Sequence, residues 1–110
     1  MTAVKIGVRV TPEDIKEAEK DYGGYIKIVV NIATGEMVIG GQWHADGEKI
    51  LLETGRQEDI WGGGIDLKNN KIDLIALINL RPGFGNDSQE ILRRETKDSF
   101  IKIVRQCFKI

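Results

Sequence analysis

The sequence predicts an α+β domain with a mostly antiparallel sheet, in the order β-α-ββ-α-ββ-α, with helices covering one face. Three observations carry this. Short runs of alternating apolar residues recur along the chain. Four of them come as two pairs joined by tight-turn residues, and helix-period segments with recognisable ends lie between them.

The first run, VKIGVRV (residues 4–10), puts Val4, Ile6, Val8 and Val10 on one side of a half-buried strand. TPEDIKEAEKDYGG (residues 11–24) follows as a helix. Thr11 suits the cap, Pro12 the first turn, and Glu13 and Asp14 the positive end of the dipole. Its buried stripe is Ile15, Ala18 and Tyr22, and Gly23-Gly24 ends it. YIKIVVNI and EMVIGG, joined by ATG, make a hairpin with Ile26, Ile28, Val30 and Ile32 on one side. Tyr25, Lys27, Val29 and Asn31 take the other side.

A short helix over about residues 45–54, stopped by Gly55, depends on Ile50, Leu51 and Leu52 for tertiary contacts. DIWGGGIDL and KIDLIALINL form the second hairpin around KNN. The latter is apolar on both faces, with Ile75 and Leu77 opposing Ile72, Leu74, Ala76, Ile78 and Leu80. That pattern predicts a strand in the sheet centre, or one beneath a helix with a subunit contact behind it. The last helix begins between Ser88 and Arg94. Leu92, Phe100, Ile103, Val104 and Cys107 form its apolar side, opposite Arg94, Lys102, Arg105 and Lys109.

A chain of 110 residues with 41% apolar and 30% charged residues suits a single soluble domain, residues 1–110. No run of apolar residues is long enough to span a bilayer, and the first ten residues alternate rather than form a signal-peptide core. One cysteine allows no internal disulfide and no cysteine-based zinc site. The expectation is a cytoplasmic protein without a metal or cofactor. Acidic residues prevail in the first half and basic ones in the second, but a pI near 5.8 lacks the electrostatic footprint of a nucleic-acid binder.

Three stretches carry candidate chemistry. In HAD the lone histidine, His44, can act as a base with Asp46 or Glu48 as its orienting partner. A helix start there would keep the imidazole neutral; the simpler reading makes Asp46 or His44 a cap. INLRPGFGNDS brings Asn79 and Arg81 to the end of a strand. Gly83 and Gly85 leave the backbone open to an anion, and Asn86, Asp87 and Ser88 precede a helix. It is no P-loop, because the glycine spacing and the Lys-Ser/Thr ending are missing. Its structural reading pairs Arg81 with Glu58 or Asp59. WGGG predicts a bulge or, as the alternative, a close approach of a ligand or partner chain beside Trp61.

The ordered series H-A-D (residues 44–46), Gly55, Q-E-D-x-W-G (57–62), I-N-x-R-P (78–82) and G-N-x-S (85–88) resembles a family of small bacterial and archaeal proteins of unknown function. The resemblance covers about residues 25–108. Arg93-Arg94-Glu95 replaces the family's Asp-Pro-Glu, and the glycines after Trp61-Gly62 replace bulkier residues. The resemblance implies no activity. It makes His44, Asp46, Gln57, Glu58, Asp59, Trp61, Asn79, Arg81, Asn86 and Ser88 shared features.

Because strands joined in a hairpin bring Trp61 and Arg81 to one sheet end, the expected site is a polar corner of His44, Glu58, Asp59, Trp61, Arg81 and Asn86. The reading is a homodimer binding a small phosphate- or carboxylate-bearing ligand, with Asn79, Gly83, Gly85 and Ser88 contributing. The alternative makes the same residues an internal network in a protein-interaction module. A third reading lets the basic last helix touch nucleic acid.

Overall fold

The computed structural model describes residues 3–7 and 9–110. Among these, β1 (Val4–Ile6), β2 (Tyr25–Asn31), β3 (Met37–Ile39), β4 (Ile60–Asp66) and β5 (Lys71–Asp73) form one sheet. Its order is β1-β3-β2-β4-β5, with every pairing antiparallel. The α+β expectation and both hairpins hold. Asn31 Oδ1 accepts the N–H groups of Ala33 and Thr34 at 2.9 and 3.2 Å, and Gly35 at φ +82° completes the first turn. The expected strand over residues 4–10 is shorter; its Val8 lies outside the described residues.

The three helices are α1 (Pro12–Ala18), α2 (His44–Leu51) and α3 (Arg94–Phe108). In α1, Thr11 Oγ1 accepts the Asp14 N–H at 3.1 Å and Asp14 returns the bond to the Thr11 N–H at 2.9 Å, a capping box. The helix ends sooner than expected, leaving Tyr22 beyond it and partly exposed. α3 begins at Arg94, so Leu92 precedes it and is exposed; Phe100, Val104 and Cys107 form its buried side. Arg105 and Lys109 face solvent, as the helical wheel predicts.

Alternation along β2 divides the interior in two. Ile26, Ile28 and Val30 pack with Ala18 of α1 and with Phe100, Val104 and Cys107 of α3. Val29 faces the other way and packs with Val38, Ile60 and Leu51 of α2. The expected helical cover on one face is therefore α1 and α3, and α2 adds a second layer on the opposite face. α2 sits close because Gly47 has no side chain: a Cβ there would meet Val29 Cγ2 at 2.9 Å. Glycine inside a helix costs about 1 kcal/mol relative to alanine, so close packing must offset it.

The expected central strand over residues 71–80 is not one. Only Lys71–Asp73 is a strand, and it lies at the sheet edge. Asp73 Oδ1 captures the Ile75 N–H at 3.1 Å, and this local bond competes with further pairing. The chain then crosses over the α2 side of β4. Ala76 and Ile78 press on Gly62, where a Cβ would meet them at 2.7 and 3.1 Å. Ile75 and Leu77 point outward, 54% and 68% exposed. Residues 77–79 and 82–84 form 3-10 turns, and Leu74–Ala76 pairs with residues 89–91 instead. A periodicity that reads as a doubly buried strand is thus an irregular flap with one face packed.

The triple glycine forms no bulge. The β2–β4 register runs unbroken from Tyr25↔Asp66 to Asn31↔Ile60. Each glycine instead admits part of the same chain. Gly62 faces His44, Ala76 and Ile78; Gly63 faces the Phe100 ring and the Asp73 carbonyl; Gly64 faces the Tyr25 phenol. Replacing Gly63 with Val should destabilise the fold by roughly 1–3 kcal/mol or more through overpacking. Gly83→Ala, in open space, should change stability by no more than about 0.5 kcal/mol. Urea melts of the two variants check this, and equal losses would contradict the packing account.

Candidate functional site

The polar residues after Leu77 act first as internal scaffolding. The Oδ1 of fully buried Asn79 accepts the Gly62 N–H at 2.8 Å. Its Nδ2 donates to the carbonyls of Gly62, Leu74 and Gln89 at 2.9, 3.3 and 3.0 Å. Asn86 does the same one turn later. Its Nδ2 donates to the carbonyls of Asn79, Ser88 and Glu90, and its Oδ1 accepts the Leu92 N–H. Two asparagines thus satisfy the backbone of a segment without regular structure, which would otherwise carry unpaired buried groups.

Arg81 is the third tie. Its side chain is buried against Trp61, with Cζ 5.0 Å from the ring centroid. One terminal nitrogen, Nη1, donates to the carbonyls of Gln57 and Ile60 at 2.7 and 2.5 Å. The other, Nη2, meets Glu48 Oε2 at 2.8 Å. Burial lowers the Arg81 pKa from its ordinary value and the Glu48 carboxylate counters it; an arginine so far up the scale keeps its charge. Its expected partners do otherwise: Glu58 pairs with Arg56, and Asp59 lies 4.0 Å from Arg56 Nε.

Around the loop the backbone is equally committed. The N–H groups of Phe84 and Gly85 close the turn on the Arg81 and Pro82 carbonyls, Gly85 supplies a φ of +76°, and a side chain at Gly83 would meet open space. Ser88 Oγ accepts the Glu90 N–H at 3.1 Å. Of the expected anion cradle's donors, the Phe84 and Gly85 N–H groups and the Arg81 terminal nitrogens are therefore engaged within the chain.

A cleft of about 660 Å³ opens on the α2 side of the sheet. Tyr25 and Lys27 of β2 line its floor, where Gly62 and Gly64 of β4 contribute no side chains beside them. Trp43, His44 and Ala45 line it from the start of α2, and residues 75–78 line it from the flap. Trp43, Ile75 and Leu77 give it an exposed apolar rim. Such a volume, apolar lining and few polar groups suit a small organic molecule.

His44 is the first residue of α2 and sits half-buried at this cleft. Its Nε2 lies 2.6 Å from the Gly63 carbonyl. A carbonyl only accepts, so Nε2 carries the proton and Nδ1 keeps its lone pair. Burial lowers the imidazole pKa, the Gly63 carbonyl opposes this, Lys27 lowers it further and Asp73 raises it. Asp46 plays no part in orienting the ring: its carboxylate accepts the Trp43 N–H at 3.1 Å and caps α2. Beside His44, the Tyr25 hydroxyl donates to Asp73 Oδ2 at 2.7 Å. Burial, then that hydrogen bond and charge, push the phenol pKa up, so it stays protonated.

Of the residues expected to meet, Trp61, Arg81, Asn79 and Asn86 do converge, as a network. His44 joins the far side of the same strand through Gly63, and Arg81 reaches α2 through Glu48. Glu58, Asp59 and Trp61 line a separate pocket of about 290 Å³ with Phe84 and Arg93. Sequence reasoning missed Tyr25, Lys27, Asp73 and Gln89, and it offered Glu48 to His44 whereas Glu48 pairs with Arg81. The period-2 pattern does place Tyr25 and Lys27 together on one strand face, opposite the glycines. Among the described residues, no three His, Cys, Asp or Glu side chains gather as a metal would require, and no helix is long and apolar enough to cross a membrane.

Two measurements check this assignment. Arg81→Met should cost about 3–5 kcal/mol by leaving Glu48 without its partner, and adding Glu48→Met should recover part of that loss. An arginine reserved for a ligand would show almost no loss. The second concerns pH. His44 is depressed in the fold below its ordinary value of 6.5, so the unfolded chain protonates first as pH falls. Stability present above about pH 6.5 should therefore decline below it, until folded His44 also takes a proton. Between pH 7.5 and 5.5, wild type should lose more stability than His44→Gln; parallel losses in urea melts would contradict this.

No curated protein and no solved structure matches this chain. One protein-family model does, over residues 4–107. The chain thus belongs to the family described as "Protein of unknown function (DUF5674)".

Proposed function

We propose that this is a small-ligand-binding domain whose site is the His44 cleft, with the Asn79–Arg81–Asn86 network as the scaffold that shapes it. The observation that carries the reading is the cleft itself. A cavity of about 660 Å³ combines an exposed apolar rim with four titratable side chains, Tyr25, Lys27, His44 and Asp73. Scattered exposed apolar residues are ordinary on a protein surface, but a concave cluster rimmed by polar groups marks a binding site.

The corner built on Arg81 gains no support as an anion site, because its terminal nitrogens are occupied by Glu48 and two carbonyls. His44 remains the candidate base, with the Gly63 carbonyl in the orienting role given from sequence to Asp46 or Glu48. The lone cysteine is buried and unpaired, which suits a cytoplasmic setting.

A second reading keeps the homodimer. Trp43, Ile75 and Leu77 together expose a large apolar area, and a second copy of the chain could cover it. Sedimentation velocity separates the two readings, since a monomer at working concentrations removes the dimer.

Leu77→Glu tests the cleft directly. Leu77 is 68% exposed, so stability should change by no more than about 0.5 kcal/mol. Fragments that bind wild type in a ligand-observed NMR screen should bind this variant several-fold more weakly. A panel of apolar fragments that ignores wild type, or binds the variant equally well, would sink the proposal.

A further inference from the structure

Accepting the cleft as a ligand site, the geometry points to an organic anion as its occupant, with its apolar body against Trp43 and Leu77 and its acid group on the Lys27 ammonium. Lys27 lies in the interior of β2, half-buried and paired in register with Gly64. No side chain from β4 stands opposite it. Its Nζ sits 5.0 Å from the Tyr22 ring centroid and 6.0 Å from that of Tyr25. Aromatic faces hold an ammonium in place without neutralising it. Among the described residues Lys27 forms no salt bridge.

The other charge lining the cleft, Asp73, is already engaged. Its Oδ2 accepts the Tyr25 hydroxyl at 2.7 Å and its Oδ1 accepts the Ile75 N–H at 3.1 Å. Tyr25 spends its proton on that bond, and the His44 N–H is spent on Gly63. The charge left without a bonded partner is therefore the cation. A partly desolvated ammonium gains most from a ligand that brings the opposite charge. This differs from the Arg81 corner, where guanidinium and carboxylate already meet within the chain.

Three probes of one shape test the inference on the whole chain: 4-phenylbutyrate, 4-phenylbutanol and 4-phenylbutylamine, titrated by NMR. The acid should bind roughly tenfold or more tightly than the alcohol, and the amine most weakly. Lys27→Met should abolish the acid's advantage while keeping the alcohol's affinity, and Lys27→Arg should retain it. If Lys27→Met fails to fold, salt takes its place: added salt should weaken the acid but not the alcohol, and an equal response overturns the inference. Equal binding of all three probes to wild type overturns the anion and leaves the cleft as a site. Tighter binding of the amine also overturns it and transfers the charge preference to Asp73. If none of the three binds, both the cleft and its anion fall.

Discussion

Three consecutive residues without side chains, Gly62, Gly63 and Gly64, set the geometry of this protein. They occupy the middle of β4, next to the buried strand β2, where larger residues would ordinarily add core. Their absence of bulk lets the Phe100 ring of α3 settle on one face. On the other face it admits the His44 ring, Ala76 and Ile78, and the Tyr25 hydroxyl. The entropy cost of glycine in a strand is offset by these contacts, which tie both layers to one strand. The same absence leaves the cleft floor to Tyr25 and Lys27.

Bringing an irregular flap over that strand creates a second demand, since its backbone groups have no ladder to join. Asn79 and Asn86 meet it with side-chain amides that imitate strand partners, and Arg81 fastens the flap to α2 through Glu48. Each tie is buried, so losing one leaves donors or acceptors stranded in a medium of low polarity. Arg81 Nε is the one buried side-chain nitrogen or oxygen without a partner among the described residues. The network fixes the flap, and the flap supplies one wall of the cleft. Residues that look like an active site in the sequence are thereby scaffold, and on the proposed reading they bear on function only at one remove.

Much of the architecture was legible in the sequence because it follows local rules. The Thr11–Asp14 cap, the Gly35 turn, the alternation of β2 and the apolar side of α3 each depend on neighbours within a few positions. Residues 74–80 failed because periodicity reports which side chains are apolar, not what they face. Asp73 interrupts the strand with one side-chain bond, and Gly62 draws Ala76 and Ile78 inward from a distant part of the chain. The candidate site shows the same division. His44 and the convergence of Trp61 with Arg81 were readable, whereas the Glu48 pairing was not. From sequence Glu48 reads as a partner for His44, and its pairing with Arg81 follows only once α2 is known to lie on the sheet face opposite α1 and α3.

The proposed function separates binding from scaffolding: the cleft would take the ligand, and the Arg81 network holds the wall. A backbone amide NMR map recorded during titration with a small apolar acid measures this most directly. The account predicts the largest shifts at Tyr25, Lys27, Trp43, His44, Ala76 and Leu77, with far smaller changes at Gly83, Gly85 and Asn86. Shifts centred on the Arg81–Asn86 turn, with the cleft silent, would contradict it.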